Sequence, residues 1–406
     1  LKISTIRNLS WMVLANTISS LTKWFIIILI AKQLTVKDVG EYSLAFAVSA
    51  PIVLLVQMKL RSIFVTESKI NFNNFLYIRK FSSILAILIL SSIAILFYKD
   101  YFILILIVGL SKLLDLYSDM YYAYPHKKND LSLIGKLLIS KSILLFLLFF
   151  IALKISNNLL YSYLFMIIFQ VLILIFVEIN IIKKKFNIYL ETIDNNLIRD
   201  ILKSAIPLGI VAMIYSFTIN VPRYILEYFE SSITLGYFSA IMYIVTVSNL
   251  FQVAISQVFL PRLSKLYNNN LYSEFKHHLW KKLMLASSII GLCLIVVIWI
   301  FGEQILGLLY GPEYGSYSGI LRLAVVAVVI NMFSGNIDTA LMATRNIKAQ
   351  PKILIINFFL TLVISMIFIR QFGITGAAYS LIISNSILLL LRLVIYRKKL
   401  KVDEAL

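Results

Sequence analysis

The chain has 406 residues, of which 60% are hydrophobic and 14% charged, with a mean hydropathy of +0.91 and a formal net charge of +19. A soluble globular chain sits nearer half apolar and a quarter charged, so this composition excludes a string of soluble domains and indicates a polytopic membrane protein. The basic balance does not point to nucleic acid, because Lys and Arg lie in short gaps between apolar runs rather than on a soluble, aromatic-bearing module.

A membrane-crossing helix needs roughly 20 mainly apolar residues. About twelve such runs follow one another, at 9–31, 40–59, 79–98, 101–123, 132–153, 159–182, 204–226, 234–260, 281–301, 318–343, 353–370 and 375–396. They are continuous rather than alternating, which argues for helices and against barrel strands. The first continues past Ile30 with no small-residue cleavage site, so it reads as a span and not as a signal peptide. It places Asn16, Ser20 and Lys23 on one helical face. The fourth contains GLSKLLDLYSDM, Gly109–Met120, where spacings of three and four bring Lys112, Asp115 and Asp119 close to one face. Lys141 lies in the fifth run and Glu178 in the sixth. Asn220, Arg223 and Glu227 lie in the seventh, and Arg322 and Asp338 in the tenth. The single cysteine, Cys293, falls inside the ninth run, where it can form no internal disulfide and reads as a packing residue.

The gaps alternate in charge. One set reads KLRSIFVTESKINFNNFLYIRK, YPHKKND, IIKKKFNIYLETIDNNLIRDILK, PRLSKLYNNNLYSEFKHHLWKK, ATRNIKAQPK and RKKLKVDEAL. The other reads AKQLTVKDVG, YKD, KISNN, EYFESSIT, FGEQILGLLYGPEYG and RQFG. With Lys2 and Arg7, the first set holds most of the 38 Lys and Arg and is therefore expected in the cytoplasm, with both termini on that side. The longest inner segment lies between the sixth and seventh spans. It suggests an N-terminal lobe 1–186, a cytoplasmic linker 187–203 and a C-terminal lobe 204–406. VGEYSLAFAV and LGYFSAIMYI open the second and eighth spans with Gly40 and Gly236 in register, a weak echo of a parallel repeat.

Enzyme signatures are missing from the sequence: there is no HExxH, no His/Cys cluster with zinc spacing and no GxxxxGK[ST] loop. No cofactor or metal is expected. His277–His278, beside Lys276, Lys281 and Lys282, reads as part of a solvated basic face. What stands out is charge inside the apolar runs, where each charged group costs at least ~2.5–3.5 kcal/mol on insertion scales. One reading is local pairing, Lys112 with Asp115 and Arg223 with Glu227, while Lys141, Glu178, Arg322 and Asp338 snorkel from span ends. The other is a hydrated cavity lined by cations. Ammonium and guanidinium groups suit a phosphate or pyrophosphate, and the carboxylates serve as proton or sodium sites or as counter-charges.

Several stretches resemble the bacterial polysaccharide-unit flippases of the multidrug/oligosaccharidyl-lipid/polysaccharide exporter superfamily. They are FIIILIAKQLTVKDVGEYSLAFAVSAPIVLLVQMKL, IPLGIVAMIYSFTINVPRYIL with LGYFSAIMYI, FLPRLSKLYNN, LLYGPEYGSYSGILRLAVVAVVINMFSGNIDTALMATRNIKAQ and FGITGAAYSLIISN. The resemblance covers essentially the whole chain. It implies an all-α polytopic fold of twelve helices in two six-helix pseudo-symmetric lobes around a central cationic cavity. It also implies alternating-access transfer of a polyprenyl-diphosphate-linked oligosaccharide to the outer leaflet, for O-antigen or other surface polysaccharide. By that resemblance Lys23, Lys112, Arg223 and Arg322 are the candidate substrate-binding cations, and Asp115, Asp119 and Asp338 the candidate proton- or sodium-coupling groups. The implied setting is the bacterial cytoplasmic membrane, with membrane lipids and other polysaccharide-assembly membrane proteins as neighbours, no nucleic acid, and a functional monomer. Relatives often carry Asp directly before the arginine of the seventh span; here Pro222 precedes Arg223 and removes a backbone donor. Three alternatives stay open. A drug-cation exporter wants an acidic, aromatic site. A peptidoglycan-precursor flippase has fourteen spans. A polymerase or ligase carries a large outer loop, whereas the one at about 302–317 is short and acidic.

Overall fold

In a bilayer every backbone N–H and C=O must find its partner inside the chain, and a helix does this within one segment. The computed structural model describes residues 3–67, 71–188, 192–246, 248–346 and 349–404, and among them every regular element is helical. Lys2 and residues 189–191 of the expected linker lie outside the described residues. The outside of the molecule is greasy: Leu88, Leu96, Phe97, Ile155, Leu292, Ile300 and Val394 are all exposed. So much exposed apolar surface is the mark of a chain solvated by lipid. Cys293, expected to pack inside, is exposed on this surface. Its neighbours on that face are lipid-solvated leucines and valines rather than a core.

The chain divides into two compact units, Leu1–Phe217 and Thr218–Leu406. The first begins with α1 (Ile3–Gln33) and α2 (Val36–Gln57). α2 starts at a capping box, in which Asp38 N–H donates to Thr35 Oγ1 at 3.3 Å and Thr35 N–H to Asp38 Oδ2 at 2.9 Å. It stops where Met58 and Lys59 both take positive φ, and α3 (Leu60–Thr66) follows. The carbonyls freed there are not orphaned. Arg79, fully buried on α4 (Phe72–Phe97), donates to Val56 O at 2.7 Å and Gln57 O at 3.1 Å. Next come α5 (Phe102–Tyr121), the short α6 (Ala123–Lys127), α7 (Leu131–Ser156) and α8 (Leu159–Leu172). A π-helical stretch, Ile173–Ile179, joins α8 to α9 (Asn180–Phe186). At one end Phe64, Phe72, Phe75, Tyr121 and Ile182 form a buried aromatic-rich cluster. Lipid tails are as apolar as leucine, so close packing rather than water exclusion holds such a cluster together.

Within the segment expected as a cytoplasmic linker, Thr192 and Asp194 bond to the start of α4. Asn71 Nδ2 donates to Thr192 O at 2.6 Å, Asn74 Nδ2 to Asp194 O at 3.0 Å, and Asp194 N–H back to Asn74 Oδ1 at 3.0 Å. Asp194 then caps the 35-residue α10 (Asn195–Phe229), accepting from the N–H groups of Asn196 and Leu197. The division between the two units falls inside this helix.

The second unit holds α11 (Ser232–Thr246), α12 (Ser248–Asn268), α13 (Tyr272–His277) and a second π-helical stretch, His278–Leu283. α14 (Met284–Tyr310), the single turn α15 (Pro312–Gly315), α16 (Ser318–Ala343) and α17 (Gln350–Glu404) complete it. Leu263, Phe275, Leu279, Ile337, Leu341 and Tyr396 pack as one core cluster, and Val221, Leu226, Phe238, Ile369 and Ala377 as another. The histidine pair does not form one solvated face. His277 is exposed, but His278 is buried on the π turn, with Nδ1 3.0 Å from Glu274 O.

Ten segments among the described residues are long and apolar enough to cross a membrane, against about twelve expected. Over the expected eighth span the described residues are α11 and α12, with residue 247 outside them, and α11 alone is too short to count. The expected eleventh and twelfth spans run together as α17, although the backbone leaves helical geometry at Gly373 (φ 54°, ψ −133°), at the junction the sequence placed between them.

Candidate functional site

The fourth apolar run becomes α5, and its polar residues divide by face. Ser111, Asp115, Ser118 and Tyr122 recur at spacings of three and four, so they form one stripe. Opposite this stripe lie Lys141 of α7 and Gln170 and Glu178 of the sixth apolar segment. At α-helical pitch, eight residues would leave Glu178 about 80° around from Gln170. The wider π turns of Ile173–Ile179 return it towards the same face.

The resulting cluster is fully bonded at its centre. Lys141 Nζ lies 3.1 Å from Asp115 Oδ1 and 3.6 Å from Glu178 Oε2, and donates to Ser118 Oγ at 2.7 Å. Ser118 in turn donates to Glu178, as does the Tyr122 hydroxyl. Gln170 Nε2 donates to Asp115 Oδ1 at 3.0 Å and to Ser111 O at 3.0 Å, and its Oε1 accepts from Ser111 Oγ at 2.7 Å. Lys23 Nζ closes the outer side, 3.4 Å from Asp115 Oδ2. Two ammonium groups thus face two carboxylates.

Burial is graded along the cluster. Glu178 and Lys141 side chains are 1% and 4% exposed, Asp115 38% and Lys23 63%. An exposed pair such as Lys23–Asp115 contributes only ~0.2–1 kcal/mol. Removing one partner from a buried pair costs ~3–5 kcal/mol. Lys141 is therefore the locked cation, and Lys23 is a weakly held one at the open end.

Of the seven candidates named from the sequence, the structure brings two together, Lys23 and Asp115. Lys112 does not neutralise Asp115. It donates to Phe46 O at 3.0 Å and sits 3.2 Å from the centre of the Phe46 ring. Asp119, one turn on from Asp115, pairs instead with Arg61 at 2.9 Å; the same guanidinium approaches His126 Nδ1 at 3.2 Å. The other three belong to the second unit. Arg223 donates to Asn220 Oδ1 at 2.7 Å and lies 5.9 Å from the Tyr243 ring. Arg322 reaches Trp299 O at 3.4 Å. Asp338 pairs with the buried Arg392 at 3.4 Å and accepts from Gln350. Lys141 and Glu178 do not snorkel: both point into the protein. Gln170, Tyr122 and Arg392 were not singled out by the sequence. The signal for Gln170 was a lone amide in LFMIIFQVLILIF, eight residues ahead of Glu178.

The fold is shared with solved transporters of the multidrug/oligosaccharidyl-lipid/polysaccharide superfamily. A lipid II flippase, MurJ, in an inward closed conformation superposes with a TM-score of 0.73 at 17% identity, over 95% of this chain and 87% of that one. An inward-facing multidrug resistance transporter of the MATE family gives 0.69 at 11% identity, over 100% and 96%. At these identities the likeness defines the class as a multi-pass membrane protein with a transporter fold. The family follows from sequence. The polysaccharide biosynthesis protein profile matches residues 5–267, and the capsular polysaccharide biosynthesis protein CapF of Staphylococcus aureus is 30% identical over 395 residues, 97% of this chain and 99% of that protein. The chain belongs to the polysaccharide biosynthesis protein family.

Proposed function

We propose that this protein is a flippase that carries a polyprenyl-diphosphate-linked oligosaccharide from the cytoplasmic to the outer leaflet, by alternating access, for a capsule-type surface polysaccharide. It works in the bacterial cytoplasmic membrane with both termini inside, a topology that its lysine- and arginine-rich gaps support. The family and the capsular relative support the polysaccharide route.

The observation that carries the reading is the graded ionic cluster. Lys23 is held by one long, exposed pair, so a diphosphate can draw it from Asp115 at little cost. Asp115 then keeps Lys141 and Gln170 as partners, so it remains compensated. Lys112, Arg223 and Arg322 supply further cations for diphosphate or acidic sugars. Among the carboxylates, Asp115 is the best ion-coupling candidate, because it alone exchanges partners when substrate binds; Asp119 and Asp338 are each held by an arginine.

The test is lipid extraction and mass spectrometry on cells depleted of the protein. The expected result is accumulation of polyprenyl-diphosphate oligosaccharide with loss of surface polysaccharide. Normal lipid-linked pools together with normal surface polysaccharide would refute the reading.

A further inference from the structure

Four tyrosines meet at one end of the second unit, in the LLYGPEYGSY stretch and the start of α11. Tyr310 ends α14, Tyr314 sits in α15, Tyr317 precedes α16 and Tyr237 lies on α11. The Tyr237 and Tyr317 rings stack with centroids 4.1 Å apart and planes 23° from parallel. Tyr314 meets the edge of Tyr237 at 4.9 Å and packs on Tyr310 at 5.3 Å. Burial divides the four. Tyr310 and Tyr314 are a floor at 1% and 0% exposure, while Tyr237 and Tyr317 are only half-buried.

The surroundings are not those of a packed core. The Tyr314 hydroxyl is buried with no hydrogen-bond partner. Burial, with Glu313 beside it, pushes that phenol above its ordinary range, so it stays a proton donor. A Cβ added at Gly307, Gly311 or Gly319 would meet nothing, so the backbone around the tyrosines borders open space. Glu303 and Glu313 are exposed carboxylates on the same segment, with Glu303 against Gly315 and Glu313 close to Tyr237 and Tyr314. The segment belongs to the gaps poor in Lys and Arg, hence to the outer side.

We infer that this tyrosine cluster is a saccharide-binding platform on the outer end of the second unit, on which a pyranose ring packs against the half-exposed Tyr237–Tyr317 pair while Glu313 and Glu303 accept its hydroxyl hydrogen bonds. A pyranose offers an apolar C–H face of slightly positive potential, which suits the negative face of an aromatic ring. Tyrosine gives rigid contact area at low entropy cost. Carboxylates at the rim take sugar hydroxyls but repel anions, so the platform selects neutral or amino sugars and not the diphosphate. It rests on the flippase reading only for the class of cargo. The sugar comes either from the repeat unit just released outward or from finished polysaccharide.

The test uses the full chain in lipid nanodiscs and saturation-transfer NMR. The probes are the oligosaccharide released by mild acid from the producing strain's lipid-linked pool and, separately, the purified surface polysaccharide. Binding of the oligosaccharide assigns the platform to product release; binding of the polymer alone assigns it to retention of finished chains. Tyr237→Ala and Tyr317→Ala are expected to weaken binding about three- to tenfold, the scale of one lost aromatic contact, with Tyr237→Phe near wild type. Glu313→Gln changes an exposed residue, leaves the rings in place and is expected to weaken binding as well. The inference is overturned if neither probe binds the wild-type protein, or if both alanine variants and Glu313→Gln bind as wild type does. If lipid-linked units accumulate on depletion but neither probe binds, only the platform falls. If a probe binds but lipid-linked pools and surface polysaccharide both stay normal on depletion, the flippase reading falls and the platform stands.

Discussion

Replacing Lys141 by Met tests the energetic core of the candidate site. Lys141 Nζ has three partners, at 3.1, 3.6 and 2.7 Å, and two of them are carboxylates. At an effective dielectric of about 20, each ion pair at these distances has a gross attraction of about 5 kcal/mol. Desolvating the ammonium removes several kcal/mol of that, so attraction alone overstates the loss. What decides the outcome is Glu178. At 1% exposure it cannot recruit water, and the substitution leaves it with only the Ser118 and Tyr122 hydroxyls. The expected cost of Lys141→Met is ~3–5 kcal/mol. Adding Glu178→Gln should restore most of it, because a neutral amide accepts from Tyr122 and donates to Ser118 without a buried charge. Asp115 keeps Lys23 and Gln170 in either case. The assay is a double-mutant cycle on unfolding in bicelles, followed by tryptophan fluorescence. A loss below about 1 kcal/mol for the single variant, or no recovery in the double variant, would refute the argument that Lys141 compensates a buried carboxylate.

Lys23→Ala should leave stability within ~1 kcal/mol, as its pair is exposed, yet sharply reduce surface polysaccharide at equal membrane abundance; immunoblots and a capsule assay check both. Asp130 caps α7 and receives Lys185 at 2.6 Å. Burial pushes its pKa up, but Lys185, Ser132 and the Leu133 N–H outweigh it and hold the carboxyl below the usual range. Stability from this group is therefore complete above the ordinary carboxylate pKa and lost as pH falls through the lower native value. Asp130→Asn, which keeps the cap but not the charge, should be less stable than wild type at pH 7, with the difference closing below about pH 4 in melts. Gly373→Ala should cost ~1–3 kcal/mol, because a Cβ at φ 54° is strained and would meet Glu230 Oε1 at 2.9 Å; thermal melts of Gly373→Ala against Gly376→Ala separate the φ effect from simple crowding.

Much of the fold was legible because lipid imposes one rule on every span: length and apolarity together mark a helix. Where two spans meet with almost no gap, a glycine can mark the join: Gly373 in RQFGITG was visible as a boundary. The candidate site was legible in part for a similar reason. A residue three or four positions away on one helix is easy to see, so Lys112 and Asp115 looked like partners. The observed partners come from other helices, at separations of 26 and 92 residues for Asp115 with Lys141 and Lys23, and pattern along one helix says nothing about those. Glu178 was misjudged for another reason: nearness to a span end suggested a side chain that reaches out, whereas it is buried against Lys141 of α7.

The order in which the charges of the cluster are synthesised differs from the order in which they can be satisfied. Lys23 emerges first, on α1, and waits for Asp115 on α5; Lys141 follows on α7 and Glu178 last. Each charge entering lipid alone meets a penalty of ~2.5–3.5 kcal/mol until its partner arrives. A nascent chain halted before the sixth span carries one more ammonium than carboxylate in this group, and Lys141 with only half its acidic neighbours. The same tetrad that is balanced in the finished protein therefore leaves an unfinished one with a charge imbalance that only a chain extended through Glu178 removes.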